Sequence, residues 1–382
     1  MSRLLREGVS YGLHYVANLP VLRSILPCNA FIVMLHEIQI DHNAELMTGT
    51  SKDLFARCLQ WLHSNGWEFT SLDDCLTMLA SGDRSRRCVV LTFDDGYRDL
   101  ASSALPLLER FGAPFVTYVP TAALQRTLPC WWLGLRELLR SRERLVLESV
   151  GRSFVCPDRQ SKLKALLTIS SWVHRDYRRA ALLGAELESA GISFAALNEA
   201  YFFSQDELRA LAQHPLASIG SHTVTHRALA SLDEADARQE IADNRAYLEG
   251  LVDRPVQLFC YPYGTTRSFG PRDERIVGEL GFTSAVCGRK DRLDGSLSRF
   301  SLPRIAMGGP FGTAASFAAN VEAIDLIARP LRACEKMRAL WASWIDEGKA
   351  GGRPINSRQS PKVLVSERIP HRLLGDFADR QR

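Results

Sequence analysis

The chain has 382 residues, 46% of them apolar and 24% charged, as in ordinary soluble globular proteins, and it is long enough for one large or two modest domains. Its net charge of +4 is too small at this size to argue for a nucleic-acid partner, and no stretch reaches the roughly 18 apolar residues of a membrane span. The nine cysteines are scattered, with no C-x-x-C pair, which argues against a disulfide framework or a zinc knuckle and for a reducing compartment.

Residues 1–30 mix Arg3, Arg6 and Arg23 with Leu4, Leu5, Val9, Leu13, Val16, Leu22, Ile25 and Leu26. They lack a clean apolar core and a small-residue cleavage site, so they read as an amphipathic helical segment rather than a signal peptide. Such a helix either lies on a membrane surface or packs on the domain. Strands and helices then alternate through residues 31–312. "FIVMLHEI" (31–38) reads as a strand, and "SKDLFARCLQWLHSNG" (51–66) as a helix with Ser51 as N-cap. "CVVLTF" (88–93) is a strand, "DLASSALPLLERFG" (99–112) mostly helix, and "PFVTYVP" (114–120) a strand. Residues 124–203 break this rhythm. They are mostly helical and Arg-rich, with Trp131 and Trp132 near the start, and are expected to be an insertion that forms a lid or substrate wall.

Beyond it, "SQDELRALAQHP" (204–215) is a short helix with a Ser204–Glu207 capping box. "LASIGSH" (216–222) is a strand and "SLDEADARQEIADNRAYLEGL" (231–251) a long helix. "VQLFCYPYG" (256–264), "FTSAVC" (282–287) and "SLPRIAM" (301–307) supply the last strands. Residues 313–346 read as C-terminal helices interrupted at Pro330, and residues 347–382 as a poorly ordered tail. About seven strands alternate with helices, and no dinucleotide glycine fingerprint follows the first. The order predicts an α/β fold, a deformed (β/α)7–8 barrel with a helical insertion and a C-terminal helical extension, rather than a doubly wound sheet.

The unusual polar residues fall at strand ends: His36, the pair Asp94-Asp95, "SHTVTH" (221–226) and "YPYG" (261–264). In an α/β barrel those ends open on one face, where active sites lie. Two adjacent carboxylates at the mouth of a buried strand are costly without a cation beside them. The four-residue spacing of His222 and His226 puts both imidazoles on one side of a helical turn. Two imidazoles and one carboxylate make a three-ligand set that leaves a position open for water, the layout of a catalytic metal. Zn2+ is the first expectation, and Ni2+, Co2+ or Fe2+ suit the same donors.

"TFDDG" and "SHTVTH", followed by the aromatic-Pro-aromatic-Gly turn, resemble the motifs of the polysaccharide deacetylases of the NodB-homology group, carbohydrate esterase family four. The resemblance covers about residues 31–306 without the insertion. With "YPYG", "LPRI" and an insertion opened by "WW", it is most similar to members linked to bacterial exopolysaccharide, capsule or lipopolysaccharide synthesis. It implies metal-dependent removal of N-acetyl groups from amino sugars, with acetate and a free amine as products. It further implies Asp95, His222 and His226 as metal ligands and Asp94 as the general base for the metal-bound water. A backbone N–H near Tyr263 would stabilise the oxyanion. Tyr261 and Tyr263 are expected to line the pocket, with Pro262 and Gly264 shaping the turn. The expected partner is an N-acetylated glycan or a lipid-linked sugar. The expected location is the cytoplasm, with attachment to the inner membrane face through the N-terminal segment. Two other readings stay open: hydrolysis of a formyl or other amide C–N bond on a lipid-linked sugar, or a metal-containing sugar-binding protein without turnover.

The chain departs from the family pattern at two points. Many members carry Arg two residues before the Pro of the third motif, where this chain has Cys260. Many also carry a Leu-x-His on a late strand, but here the only histidine after His226 is His371. His36 is therefore the candidate proton donor to the leaving amine, its alternative being a structural hydrogen bond. Arg304 is the candidate for the missing guanidinium, its alternative being a surface ion pair. Trp131 and Trp132 either stack on a sugar or fill a core. His14, His42, His63, His174 and His214 show no constellation.

Overall fold

Strand β1 (Ala30–Leu35) is buried along nearly its whole length. Such continuously apolar strands belong in parallel sheets covered on both faces. The computed structural model describes residues 29–321 apart from 40–45, 47–48, 84, 292, 294–296 and 309–312. The expected N-terminal helix, the tail and most of the expected C-terminal helices lie outside these residues; a helix does begin at Ala314.

Strands β2 (Ile38–Gln39) and β3 (Thr50–Ser51) form a small parallel pair of their own. Helix α1 (Lys52–Ser64) starts where expected, with Ser51 Oγ accepting from the Leu54 N–H at 3.1 Å. Then come β4 (Glu68–Phe69), α2 (Leu72–Ser81) and β5 (Cys88–Phe93). A π-helical turn at Leu100–Ala104 leads into α3 (Leu105–Phe111), followed by β6 (Phe115–Val119).

After the short α4 (Thr121–Leu124), the insertion supplies α5 (Trp131–Ser141), β7 (Arg144–Leu147), β8 (Arg152–Val155), α6 (Arg159–Arg175), α7 (Arg179–Ser189) and α8 (Phe194–Tyr201). The segment is mostly helical, as expected, and also holds an element outside that expectation, the antiparallel β7–β8 hairpin. Its alternation of exposed and buried residues in Arg144–Leu147 is a strand signal that the surrounding arginines mask. After the insertion follow α9 (Gln205–Ala212), β9 (Ala217–Ser221), α10 (Glu234–Val252), β10 (Leu258–Cys260), α11 (Pro271–Glu279), β11 (Ser284–Val286) and β12 (Ile305–Ala306).

The strands run β11-β10-β9-β6-β5-β1-β12, with β4 also on β5, and every pairing in this sheet is parallel. Leu302 bridges Val286 of β11, and three residues later Ile305 pairs with Val33 of β1. The short segment 302–306 thus spans the seam of the curled sheet. Residues alternate between two cores, as the two-residue strand period requires. Ala30, Ile32, Val90, Val116, Tyr118 and Cys260 point into the barrel. Phe31, Val33, Leu91, Phe93 and Phe115 pack outward against helices α1 and α3.

The insertion has its own core, built on Trp131, Leu135, Leu139, Leu166, Ile169 and Leu187. It is tied to the barrel at both ends. Phe203 N–H donates to Gly96 O at 3.0 Å. Arg136 of α5 meets Glu37 at 2.6 and 3.1 Å, with both side chains buried. Seven cysteines lie among the described residues, all buried, and no disulfide joins any two of them. No single described helix is long and apolar enough to cross a membrane.

Candidate active site

The C-terminal ends of β1, β5, β9 and β10 place His36, Asp94, Asp95, His222 and Tyr261 at one end of the barrel, next to the seam segment that carries Arg304. Asp94 follows directly on β5, and its N–H donates to Leu35 O at 2.9 Å. Asp95 takes a left-handed conformation with φ 70° and Gly96 follows at 72°. That reversal sends two consecutive side chains to different neighbours. A side chain at Gly96 would also run into Val119, its Cβ lying 3.1 Å from Val119 Cγ1.

Asp94 is gripped by Arg304. Two parallel bonds of 2.7 Å join the guanidinium to both carboxylate oxygens. The remaining donors reach Thr92 Oγ1 at 3.0 Å, Cys287 O at 3.0 Å and Cys260 Sγ at 3.2 Å. Arg304 is thus a fully buried, fully bonded fork rather than a surface ion pair. Burial alone would raise the Asp94 pKa, but the charge and hydrogen bonds of Arg304 outweigh it and hold the carboxyl below its ordinary value. Cys260, at the position where many family members carry Arg, packs against this fork, and burial pushes its thiol pKa up. On the open side His36 Nε2 lies 3.8 Å from Asp94 Oδ2, with the imidazole 44% exposed. His36 is therefore the solvent-facing neighbour of a carboxylate that is otherwise enclosed.

Asp95 faces the histidines. Its Oδ1 lies 3.4 Å from His222 Nε2 and 3.3 Å from His226 Nε2. The spacing of the two histidines suggested a helical turn, but residues 222–226 form a loop. Thr223 at φ 65° and His226 at φ 56° fold it back so that both rings converge. Helix α10 holds this loop from behind. Asn244 accepts from the His222 N–H at 3.3 Å and donates to Val119 O at 3.0 Å and to Thr223 O. Glu240 accepts from the Thr225 N–H at 2.8 Å and from its hydroxyl. Neither residue was anticipated. A signal existed for Asn244, a polar residue on the buried stripe of Ala237, Ile241, Leu248 and Val252.

The imidazoles are fixed differently. His222 Nδ1 donates to Cys260 O at 2.7 Å, which leaves Nε2 facing Asp95. His226 Nδ1 has no partner among the described residues. Its ring is instead clamped by Trp132 at 5.0 Å and Tyr263 at 4.9 Å between centroids. Burial lowers the His226 pKa despite the nearby Asp95 charge, which keeps the imidazole neutral. The pKa of Asp95 stays well below the ordinary value because His226 and His222 outweigh its burial.

The two tryptophans divide their roles. Trp131 is buried in the insertion core, and its N–H reaches Tyr263 Oη at 3.1 Å. Trp132 is half-buried, lies on His226 and donates to Tyr97 Oη at 2.8 Å. Of the turn expected to line the pocket, Tyr263 faces the site, with φ 62°. Pro262 is buried, and Gly264 lies so close to Gly288 that a Cβ would sit 2.2 Å from its nitrogen. Tyr261 corrects the expectation. It is 1% exposed, stacks on Phe269 at 3.9 Å and donates to Phe300 O at 2.8 Å, so it belongs to the core. His174, expected to be ordinary, lies 5.9 Å from the Tyr263 ring.

Asp95, His222 and His226 can bring one ligand atom each to within 4.8 Å of one another, and so can Asp94, His222 and Cys260. The first set fits a cation better. Asp95 Oδ1 has no hydrogen-bond partner among the described residues, and the Nε2 atoms of both imidazoles face it. In the second set both Asp94 oxygens are taken by Arg304 and the thiol is held protonated by burial.

YxkH of Bacillus subtilis (strain 168), whose name places it among polysaccharide deacetylases, is 18% identical over 299 residues, 78% of each chain. The Streptococcus pyogenes deacetylase PplD in complex with acetate superposes with a TM-score of 0.52 at 17% identity, over 76% of this chain and 97% of that one. IcaB from Ammonifex degensii gives 0.51 at 17% identity, over 78% and 98%. These similarities in fold accompany a family model, polysaccharide deacetylase, that matches residues 81–284. That match covers over half of the chain, including both aspartates, both histidines and the Tyr261–Gly264 turn, and the chain belongs to the polysaccharide deacetylase family, hydrolases of the amide C–N bond in N-acetyl groups of glycans.

Proposed function

We propose that the protein is a metal-dependent de-N-acetylase of amino sugars in a bacterial surface glycan or its precursor. The observation that carries the reading is the separation of the two adjacent aspartates. Asp94 is committed to Arg304, while Asp95 turns an unpartnered oxygen toward two imidazoles. Asp95, His222 and His226 would hold a divalent ion, with zinc suited to this donor set and nickel, cobalt or iron compatible with it. When bound, such an ion supplies Lewis-acid chemistry, polarising the acyl oxygen and making water acidic near neutral pH.

The remaining tasks fall to side chains. Asp94, kept ionised by Arg304, accepts the proton of the attacking water. Its bidentate partner fixes the direction of its lone pairs, so the carboxylate cannot rotate away. The Tyr263 N–H, which has no backbone acceptor among the described residues, would donate to the oxyanion as the carbonyl becomes tetrahedral. His36, beside Asp94 and open to solvent, protonates the leaving amine, which otherwise departs as a poor leaving group. Trp132 and Tyr263 exclude water from one side of His226 and give the sugar an aromatic wall.

The test is acetate release from N-acetylated oligosaccharides, run beside elemental analysis of the purified full chain. The expected result is about one divalent ion per chain and acetate release that Asp94→Asn abolishes with the ion retained. Acetate release unchanged in Asp94→Asn would overturn the mechanism. Formate release with no acetate would transfer the activity to a different amide.

A further inference from the structure

The insertion carries a second concave surface, outside the active site. A groove of about 1150 Å³ runs along the solvent face of α6 and is flanked by the β7–β8 hairpin. Arg152, Arg159, Lys164 and Arg175 line it, with Leu163 and Leu167 between them and no carboxylate among the lining residues. Helix α6 as a whole has four Lys or Arg residues and no Asp or Glu. None of the four groove cations has an ion-pair or hydrogen-bond partner for its side chain among the described residues. Elsewhere on the surface, exposed arginines such as Arg86, Arg209 and Arg275 are each ion-paired.

The apolar residues follow the same distribution. The exposed large hydrophobic side chains among the described residues are Val146, Val155, Leu167 and Leu182, 44–69% exposed, and all four belong to the insertion. Isolated exposed aliphatic residues are common. Their confinement to one inserted segment, with Leu167 inside a carboxylate-free basic groove, is not. A soluble polyanion would satisfy the cations but leave Leu167 in water. An apolar protein face would cover Leu167 but leave four cations unpaired. A bilayer with anionic headgroups satisfies both, since phosphates meet the cations while short aliphatic side chains enter the interfacial layer.

We infer that the α6 face of the insertion docks the protein on an anionic lipid bilayer. The placement links this surface to the reaction. The far end of α6 carries His174, whose ring contacts Trp131 and Tyr263 beside the candidate metal site. A helix of this length spans roughly 25 Å, so docking sets the active-site wall within one helix length of the headgroups. The inference concerns attachment and holds whichever amide the site hydrolyses.

The experiment uses the full chain with extruded vesicles of phosphatidylcholine alone and of phosphatidylcholine mixed with phosphatidylglycerol, read by cosedimentation. The expected result is binding to the mixed vesicles only, weakened by salt. The double variant Arg159→Glu/Lys164→Glu should bind roughly 25-fold more weakly or worse, at about fivefold per charge removed. Leu167→Asp should weaken binding with the cations intact. Both variants should keep the parent's melting temperature and its turnover on a soluble acetylated oligosaccharide, which separates lost docking from lost folding. Absence of parent binding to mixed vesicles overturns the inference, as does equal binding by parent and variants, which would assign attachment to another part of the chain. Binding that a soluble polyanion abolishes and Leu167→Asp does not alter also overturns it, because the groove would then read charge alone.

Discussion

Arg304 and Asp94 meet through two parallel 2.7 Å bonds across 210 residues of sequence, from the seam of the barrel to the end of its β5 strand. The guanidinium comes from the seam segment before β12, and Cys260 packs against it where the resemblance led to an expected Arg. Arg304→Met should therefore lower kcat by about 100-fold, the scale of a misplaced reacting group, with metal content unchanged. It should also cost about 3–5 kcal/mol of stability, because a buried carboxylate loses its partner. Denaturant melts and elemental analysis of the same preparation check both. Unchanged turnover in a folded Arg304→Met would remove Arg304 from the mechanism.

Among the described residues, His36 is the one imidazole that is both beside Asp94 and open to solvent. His36→Ala should reduce turnover about 100- to 10,000-fold, the range for a lost general acid, with the metal retained. The loss should shrink for substrates whose amine leaves more easily, such as an N-acetylated aminophenyl glycoside. An equal loss for good and poor leaving groups would assign His36 a positioning role.

His222→Ala and His226→Ala should each release the metal, whereas Asp94→Asn should keep it. Dialysis against a chelator followed by elemental analysis distinguishes them. A chain that keeps its ion after both histidines are replaced binds it elsewhere.

Trp132 belongs to the insertion, yet it rests on His226, whose second nitrogen has no partner among the described residues. Ring packing stands in for the hydrogen bond that usually orients a metal-binding imidazole. Trp132→Ala should weaken metal affinity by about 10- to 100-fold, as loss of an orienting partner does, and Trp132→Phe should restore most of it. Competition with a chromogenic chelator reads the difference without any substrate.

Asp99 gives a stability prediction away from the catalytic groups. Burial and the nearby Glu37 raise its pKa from 3.8 to about 8, although its Oδ2 accepts from the Ile38 N–H at 2.8 Å. Unfolding releases that proton at neutral pH, so the stability present below about pH 4 declines as pH rises and is lost through about pH 8. Asp99→Asn keeps the acceptor without the titration. It should flatten this slope and add about 1–2 kcal/mol at pH 9 relative to the parent. Urea midpoints at pH 6 and pH 9 for both proteins settle the sign.

The barrel was legible because its strands are short apolar runs between capped helices, and caps such as Ser51 and Ser204 are local signals that the fold keeps. The site residues were legible as a group because strand order sends strand ends to one face. What the spacing could not reveal was backbone hand. His222 and His226 converge through left-handed residues at 223 and 226 rather than through a helix, and no side-chain pattern marks such a loop. Tyr261 misled for a related reason. Strict alternation would send residues two apart to one face, but the left-handed backbone at Tyr263, φ 62°, turns that ring to the site while Tyr261 stays in the core. The hairpin within the insertion was obscured because only two of its four β7 residues are buried.

The buried pair Glu37–Arg136 has a consequence for replacing the insertion of this chain. Glu37 adjoins His36 on the barrel, and Arg136 belongs to the insertion. Exchanging the insertion for a foreign one would strand Glu37 without a cation, at a cost of about 3–5 kcal/mol, and would withdraw Trp132 from His226 at the same time. A replacement segment would therefore have to carry its own counterpart for the barrel's acid and its own wall for His226.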